Sequence, residues 1–291
     1  MRPNSTDFDH GRRRALRAAL VSGAFLAGAP ALALGGGIDP GDGREFEVVR
    51  ARIRIANLPE RLRGLRIAMI SDIHSGPYMD KADMDRYVAA VNRMRPELIL
   101  IPGDFVQSKV AEADPLCESF RHLRAEYGVY GCLGNHDFYA DADVVAAELD
   151  RAGIRMLRNE SVSPAPRGVP FNLIGIDDVR QRHPFDMLFA MASAQIRRDV
   201  PSLLLCHKPY AFDEAATWGV DLMVSGHTHG GQIVLGRIPG AVLTPAALVS
   251  GYVEGLYRRD ASQLYVTRGI GTVGLPIRVN CPPEITAITL V

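Results

Sequence analysis

Leu65-Arg66-Ile67-Ala68-Met69-Ile70-Ser71-Asp72-Ile73-His74 is the stretch on which the reading turns. Its nearly continuous apolar run is too short for a buried helix and has the make-up of a strand covered on both faces. The run stops at a polar segment that sets a carboxylate and an imidazole two residues apart. The same design recurs along the chain. Leu98 to Ile101 runs into Pro102-Gly103-Asp104, and Gly128 to Leu133 into Gly134-Asn135-His136-Asp137. Leu203 to Cys206 runs into His207, and Leu222 to Val224 into Gly226-His227-Thr228-His229-Gly230-Gly231-Gln232. Between these runs lie helical spacings. Met84, Tyr87, Val88, Val91 and Met94 share one face of a helix that Pro96 ends, and further helices are expected over Cys117 to Arg124 and Val144 to Ala152. Phe46 to Ile55, Phe171 to Ile176, Leu264 to Thr267 and Ile285 to Leu290 read as additional strands. The expectation is an α/β domain in which helices cover two central sheets and polar residues gather where strands end.

The chain has 291 residues, 47% of them hydrophobic, which suffices for one substantial core. Its 33 basic and 33 acidic residues balance, so no global basic field points to nucleic acid as a partner. No obligate protein partner is evident. Cys117, Cys132, Cys206 and Cys281 show no Cys-x-x-Cys spacing, which argues against a zinc knuckle or a thioredoxin-type motif. Cys132 and Cys206 sit in apolar runs and read as small buried hydrophobes. An oxidising compartment would permit disulfides, and the sequence does not say which pairs could meet.

Residues 1–34 read as a targeting segment. Arg12, Arg13, Arg14 and Arg17 precede an apolar run from Ala18 to Leu34, the layout of an export signal, and the adjacent arginines are similar to a twin-arginine signal. The Ser/Thr that usually precedes such a pair and the Phe-Leu-Lys that usually follows it are missing. Ala31-Leu32-Ala33 would serve for cleavage, and an uncleaved anchor is the alternative, although the run is short and weakly hydrophobic for a bilayer span. In both readings the basic flank stays cytoplasmic and the rest faces outward, in the periplasm or tethered to the inner membrane. Gly35 to Gly43 is a linker, and residues 44–291 form the domain.

Each polar strand end alone is a weak signal; a lone Gly-Asp, for instance, is usually a turn. Gly-His-x-His is stronger, since two imidazoles spaced by two would project the same way from an extended segment. Taken as an ordered set, the five blocks resemble the signature of the calcineurin-like metallophosphoesterase superfamily, over residues from about 46 to 291. Leu65 to Gly76, Gly226 to Gln232 and Arg268 to Arg278 with Pro282-Pro283-Glu284 resemble a bacterial branch of exported or membrane-associated phosphodiesterases. That branch also includes enzymes that hydrolyse the pyrophosphate of UDP-2,3-diacylglucosamine in lipid A synthesis.

The resemblance implies a four-layer sandwich, two mixed β-sheets flanked by helices, and two divalent metal ions drawn from manganese, iron, zinc and nickel. Asp72, His74 and His229 would hold one ion and Asn135, His207 and His227 the other, with Asp104 bridging. A hydroxide between the ions would attack phosphorus, and His136 would bind the phosphate and protonate the leaving oxygen. Asp137 stands where many relatives carry Glu and is expected beside the ligands rather than among them. Gln107 departs from relatives that place an Asp three residues after the bridging one to orient the catalytic His. Arg278, Arg268 and Lys208 are candidate phosphate binders, and Tyr139, Tyr252 and Tyr257 could pack or touch substrate. His10, His122 and His183 are expected on the surface.

The reading that follows is a phosphodiesterase or pyrophosphatase on a small or lipid-linked substrate. UDP-2,3-diacylglucosamine ranks lower, because it is made on the cytoplasmic side. A nuclease or protein phosphatase of the same superfamily is disfavoured by the neutral charge and by Gln107. A non-catalytic metal-binding scaffold would show degraded ligands, and all seven positions are present.

Overall fold

The computed structural model describes residues 45–178, 184–238 and 241–291. The targeting segment, the linker, His10 and His183 lie outside these residues. Among the described residues no helix is long and apolar enough to cross a membrane.

Among the described residues fourteen strands and six α-helices follow one another. β1 is Glu47–Ile53, β2 Arg66–Met69, β3 Leu98–Pro102, β4 Val129–Cys132 and β5 Ile154–Met156. β6 is Glu160–Val162, β7 Asn172–Ile176, β8 Ser202–Cys206 and β9 Leu222–Ser225. β10 (Gly236–Ile238) and β11 (Ala241–Leu243) form a small hairpin, and β12 (Gly255–Arg259), β13 (Ser262–Val266) and β14 (Glu284–Leu290) complete the set. The helices are α1 Lys81–Arg93, α2 Ala113–Phe120, α3 Asn135–Ala140, α4 Ala142–Arg151, α5 Phe185–Ala192 and α6 Phe212–Thr217.

Two six-stranded mixed sheets result, one ordered β1-β14-β2-β3-β4-β5 and the other β12-β13-β9-β8-β7-β6. Strand alternation explains why they stack. Ile67, Met69, Leu98 and Leu100 of the first sheet meet Leu203, Leu205, Leu222 and Val224 of the second in a shared core. The intervening residues Ala68, Ile99 and Ile101 pack outward with Met84, Val91, Leu116 and Leu149 of α1, α2 and α4. On the far side Ile174, Leu204 and Met223 pack with Phe189 and Phe212 of α5 and α6. Each central strand is therefore buried on both faces, which is why it reads as an unbroken apolar run. The architecture is the expected four layers, helix, sheet, sheet, helix.

The second expected helix lies four residues earlier than the sequence suggested. A single 3₁₀ turn at Val110–Glu112 feeds directly into α2, with Pro115 in its first turn, where a missing N–H costs nothing. Helix α3, which carries His136, had no visible apolar period because it is only six residues long.

β2, β3, β4 and β5 run parallel, as do β7, β8, β9 and β13. The carboxyl ends of β2, β3 and β4 therefore share one edge of their sheet, and those of β8 and β9 one edge of theirs. The seven candidate metal ligands and His136 follow these ends. The four cysteines are unpaired thiols, with Cys132, Cys206 and Cys281 buried.

Candidate metal centre

Three loops of the first sheet and two of the second converge on one point. Asp72, His74 and His229 form one cluster of potential ligand atoms, and Asp104, His207 and His227 a second. Oδ2 of Asp104 lies between them, 3.1 Å from Nε2 of His207 and 3.6 Å from Nε2 of His74. Nε2 of His74 and Nε2 of His229 face each other at 3.1 Å, and Nε2 of His229 is 3.6 Å from Oδ1 of Asp72. Nδ1 of His227 lies 3.3 Å from Nε2 of His207. Asn135 is also buried, at the start of α3. The chain thus brings together six of the seven residues expected to hold metal, and the residues flanking Asn135, Gly134 and His136, lie against Asp104.

The backbone is bent to achieve this. Asp72, His74, Asp104, His227 and His229 all have positive φ, between 48° and 73°. Such conformations are uncommon for residues with a Cβ and cost on the order of 1–3 kcal/mol each. They correct one expectation. His227 and His229 do not project together from an extended segment; the left-handed turn sends one ring to each cluster.

Backbone donors fix the carboxylates. The His227 N–H donates to Oδ1 of Asp72 at 2.9 Å, and the His136 N–H to Oδ1 of Asp104 at 2.8 Å. Asp137 accepts four N–H groups, from Gly134, Asp104, Phe105 and Val106, at 2.8 to 3.1 Å. All its contacts are donors, so the ionised form satisfies them, and Asp137 acts as a clamp rather than a ligand. Gly226 and Gly134 are required by proximity: a Cβ at either would overlap the carboxylate of Asp72 or of Asp104.

Electrostatics divide the histidines. Burial lowers the pKa of His74 to about 4, with Asp104 resisting, and burial together with nearby His207 lowers that of His227 to about 3. Burial and the proximity of His74 place His229 well below the ordinary value. His207 goes the other way. Burial opposes its charge, but the Asp104 and Asp72 carboxylates outweigh burial and push it up to about 10. Burial likewise opposes ionisation of Asp104, and His207 more than offsets it, holding that carboxyl far below the usual range. Burial raises Asp72 to about 6, against the pull of His207.

The donor set passes a test of fit to metal. Asp72 Oδ2 and Asn135 Oδ1 are buried without a hydrogen-bond partner, and the Nε2 atoms of His74 and His229 meet each other and the Asp104 and Asp72 carboxylates. Orphaned polar atoms of this kind are costly unless something else completes the site. Mixed imidazole, carboxylate and amide donors suit first-row divalent ions.

His136 stands beside the clusters, its ring edge-on to His74 at 4.5 Å between centroids. Its Nδ1 is 2.6 Å from the carbonyl oxygen of Gln107. A carbonyl can only accept, so Nδ1 carries the proton and Nε2 is left for other work. The main chain at Gln107 thus supplies the orientation that an Asp side chain was expected to give elsewhere. Exposed Tyr139 packs against the His136 ring at 5.0 Å. Tyr252 instead packs between Tyr257 and Phe212. His122 is exposed, as expected.

The three candidate phosphate binders are engaged elsewhere. Arg278 is buried, and its guanidinium donates to the carbonyls of Gly271, His229, Cys281, Arg268 and Gly269. No N–H remains for a phosphate; its work is to hold the loop after β13 against the His229 turn. Arg268 is paired with Glu284 and Glu47 at 2.9 and 2.8 Å. Lys208 lies 2.8 Å from Asp178. Sequence alone could not show these partners, several of which, such as His229, Glu47 and Asp178, come from distant segments. It also missed Gln232, whose side-chain amide bonds to the main chain of Val273 and Leu275 and fastens the 273–275 loop beside His229.

Fold and site together define a four-layer α/β protein with a buried paired-metal type of donor set at its strand ends. Residues 65–231 match the family model of the calcineurin-like phosphoesterases, and the chain belongs to that family of phosphoester hydrolases. It is 34% identical over 257 residues to a transmembrane protein with metallophosphoesterase domain from Danio rerio, covering 84% of this chain and 57% of that one. It therefore spans little more than half the length of that relative. Over 279 residues it is 31% identical to the uncharacterized metallophosphoesterase YkuE of Bacillus subtilis, covering 92% of this chain and 94% of the other. Over 252 residues it is 28% identical to the phosphodiesterase YaeI of Escherichia coli, covering 84% and 88%.

Proposed function

We propose that this protein is a metal-dependent phosphodiesterase or pyrophosphatase that acts on a small or lipid-linked phosphate diester outside the cytoplasm. The observation that carries the reading is the convergence of six Asp and His donor side chains, with Asp72 Oδ2 and the neighbouring Asn135 Oδ1 buried and without another partner. Asp72, His74 and His229 would hold one ion, Asn135, His207 and His227 a second, and Asp104 both. Such a pair supplies positive charge for the phosphoryl oxygens and lowers the pKa of water. The protein's own part is positional. The His227 and His136 amides lock the two carboxylates before any ligand arrives, so little reorganisation is needed on binding. His136, with Nδ1 held by the Gln107 carbonyl, presents Nε2 toward the clusters and as imidazolium would hand its proton to the departing oxygen. A diester as substrate is supported by the kinship with a phosphodiesterase.

The test is hydrolysis of bis-p-nitrophenyl phosphate and p-nitrophenyl phosphate by the purified chain, with and without added manganese, alongside Asp104→Ala and His136→Ala. Manganese-dependent diester cleavage that disappears in Asp104→Ala and is only reduced in His136→Ala, because the p-nitrophenolate leaving group departs without a proton, is the expected result. Near-zero metal content under every loading condition, with no ester cleaved, would leave a scaffold as the better reading.

A further inference from the structure

We infer that the face carrying the metal centre docks on a lipid bilayer, with the aliphatic side chains around its mouth entering the acyl layer. Leu235, Ile238, Leu243, Leu248, Val249 and Leu275 are large apolar residues that are between 47% and 83% exposed. Scattered apolar residues are ordinary on a surface, but a contiguous cluster marks a place of contact. These six come from three segments tied to one another and to the site. The β10–β11 hairpin is joined to the residues before it by the Leu235 N–H to Leu243 carbonyl bond, and Val234 bonds to the Val279 carbonyl. Thr244, at the head of the turn carrying Leu248, donates to the carbonyl of Gly231. Gln232 holds the carbonyl of Leu275. Between these segments and the histidines lies an open cleft of about 430 Å³, bordered by His227, His229, Tyr210, Ile233, Val249 and Val273. Val249 thus belongs both to the apolar rim and to the cleft that opens on the histidines.

The route of the chain selects the occupant. β1 runs antiparallel to β2, since β1 pairs parallel with β14 and β14 antiparallel with β2. Its first residue, Glu47, therefore lies at the edge where β2 delivers Asp72, and it is ion-paired there with Arg268. The preceding chain enters the domain on the side of the site. Residues 35–46 separate Glu47 from the apolar run Ala18 to Leu34 and, fully extended, reach no more than about 40 Å. A bilayer that takes up that run lies within reach of the rim. The rim itself is aliphatic, and hydrocarbon is a solvent that suits such side chains.

The protein carries its own control. Its single tryptophan, Trp218, is half exposed beside the start of β9, at the opposite end of that sheet from His227. The full chain is bound to vesicles of phosphatidylglycerol and phosphatidylcholine, with the phosphatidylcholine plain or brominated on its acyl chains. Tryptophan emission is compared for the unaltered chain and for Trp218→Phe carrying either Leu248→Trp or Leu235→Trp. Both sites are more than three-quarters exposed, so the reporters leave the fold intact. Emission at 248 and 235 is expected to fall about twofold on brominated vesicles, as for a side chain resting among acyl chains, while Trp218 stays unquenched. Equal emission on both vesicle types at 248 and 235, or quenching of Trp218 to the same degree, overturns the inference. The readout requires no turnover, so it stands or falls apart from the catalytic reading.

Discussion

The backbone N–H of His136 donates to Oδ1 of Asp104 at 2.8 Å, so the residue proposed to protonate a leaving group also orients the central carboxylate. One turn of chain, Gly134 to Asp137, serves both purposes. Asp137 secures it by receiving the N–H groups of Gly134 and of Asp104, Phe105 and Val106 on the neighbouring loop. Asp137→Ala should leave four buried donors short of an acceptor. Each unmet donor costs about 1–3 kcal/mol before water enters, so a net loss of about 3 kcal/mol or more is expected in urea denaturation of the metal-free protein. A change below about 1 kcal/mol would show that the clamp is dispensable.

The place of His136 makes a second expectation selective. His136→Gln should retain bound metal while losing on the order of 10²–10⁴ in kcat for an alkyl phosphodiester, whose leaving oxygen needs a proton. The p-nitrophenyl diester, whose leaving group departs without one, should lose far less. Metal analysis decides the alternative, because His136 also lies within ligand range of His74 and Asp104. Lost metal and equal losses on both esters would make His136 a ligand rather than an acid.

Much of the fold was legible because central strands buried on both faces must be apolar throughout, and Leu65 to Ile70 and Leu203 to Cys206 could be little else. The candidate ligand residues were legible because they follow those strands. Their geometry was not. Positive φ at Asp72, His74, Asp104, His227 and His229 leaves no mark in residue type, since none of them is glycine. Partners across the chain were equally hidden: the Gln107 carbonyl is available at any residue, and nothing near Arg278 in sequence announces that it closes on His229.

Proton release should accompany metal loading. His207 has its Nδ1 2.8 Å from the Pro102 carbonyl, so that nitrogen carries a proton, while Nε2 faces Asp104. With its pKa pushed up to about 10, the metal-free ring is an imidazolium at neutral pH and must surrender the Nε2 proton to a metal. His74 and His227, lowered to about 4 and about 3, have none to give. Metal affinity should therefore rise with pH from neutrality toward 10 by up to about a decade per unit. The sign for stability is opposite. The raised His207 pKa stabilises the metal-free fold fully below its unfolded value of 6.5, and the contribution is lost as pH rises through about 10. Calorimetric titration of manganese in buffers of different ionisation enthalpy measures the release directly; no buffer dependence at pH 7 would contradict the assignment.

Arg278 offers the sharpest contrast between a phosphate binder and a structural strut. Its guanidinium bonds to the carbonyls of Arg268, Gly269 and Gly271 on one loop and of His229 and Cys281 on others. A lysine carries three donors on one atom and cannot span that fan of acceptors. Arg278→Lys should therefore lower the melting temperature and loosen metal at the cluster of Asp72, His74 and His229, with dissociation constants raised about tenfold or more. At saturating metal the KM for a diester should stay within about twofold of the unaltered protein, because the side chain offers no N–H to substrate. Unchanged stability together with a KM raised about tenfold would reverse the conclusion and return Arg278 to the phosphate.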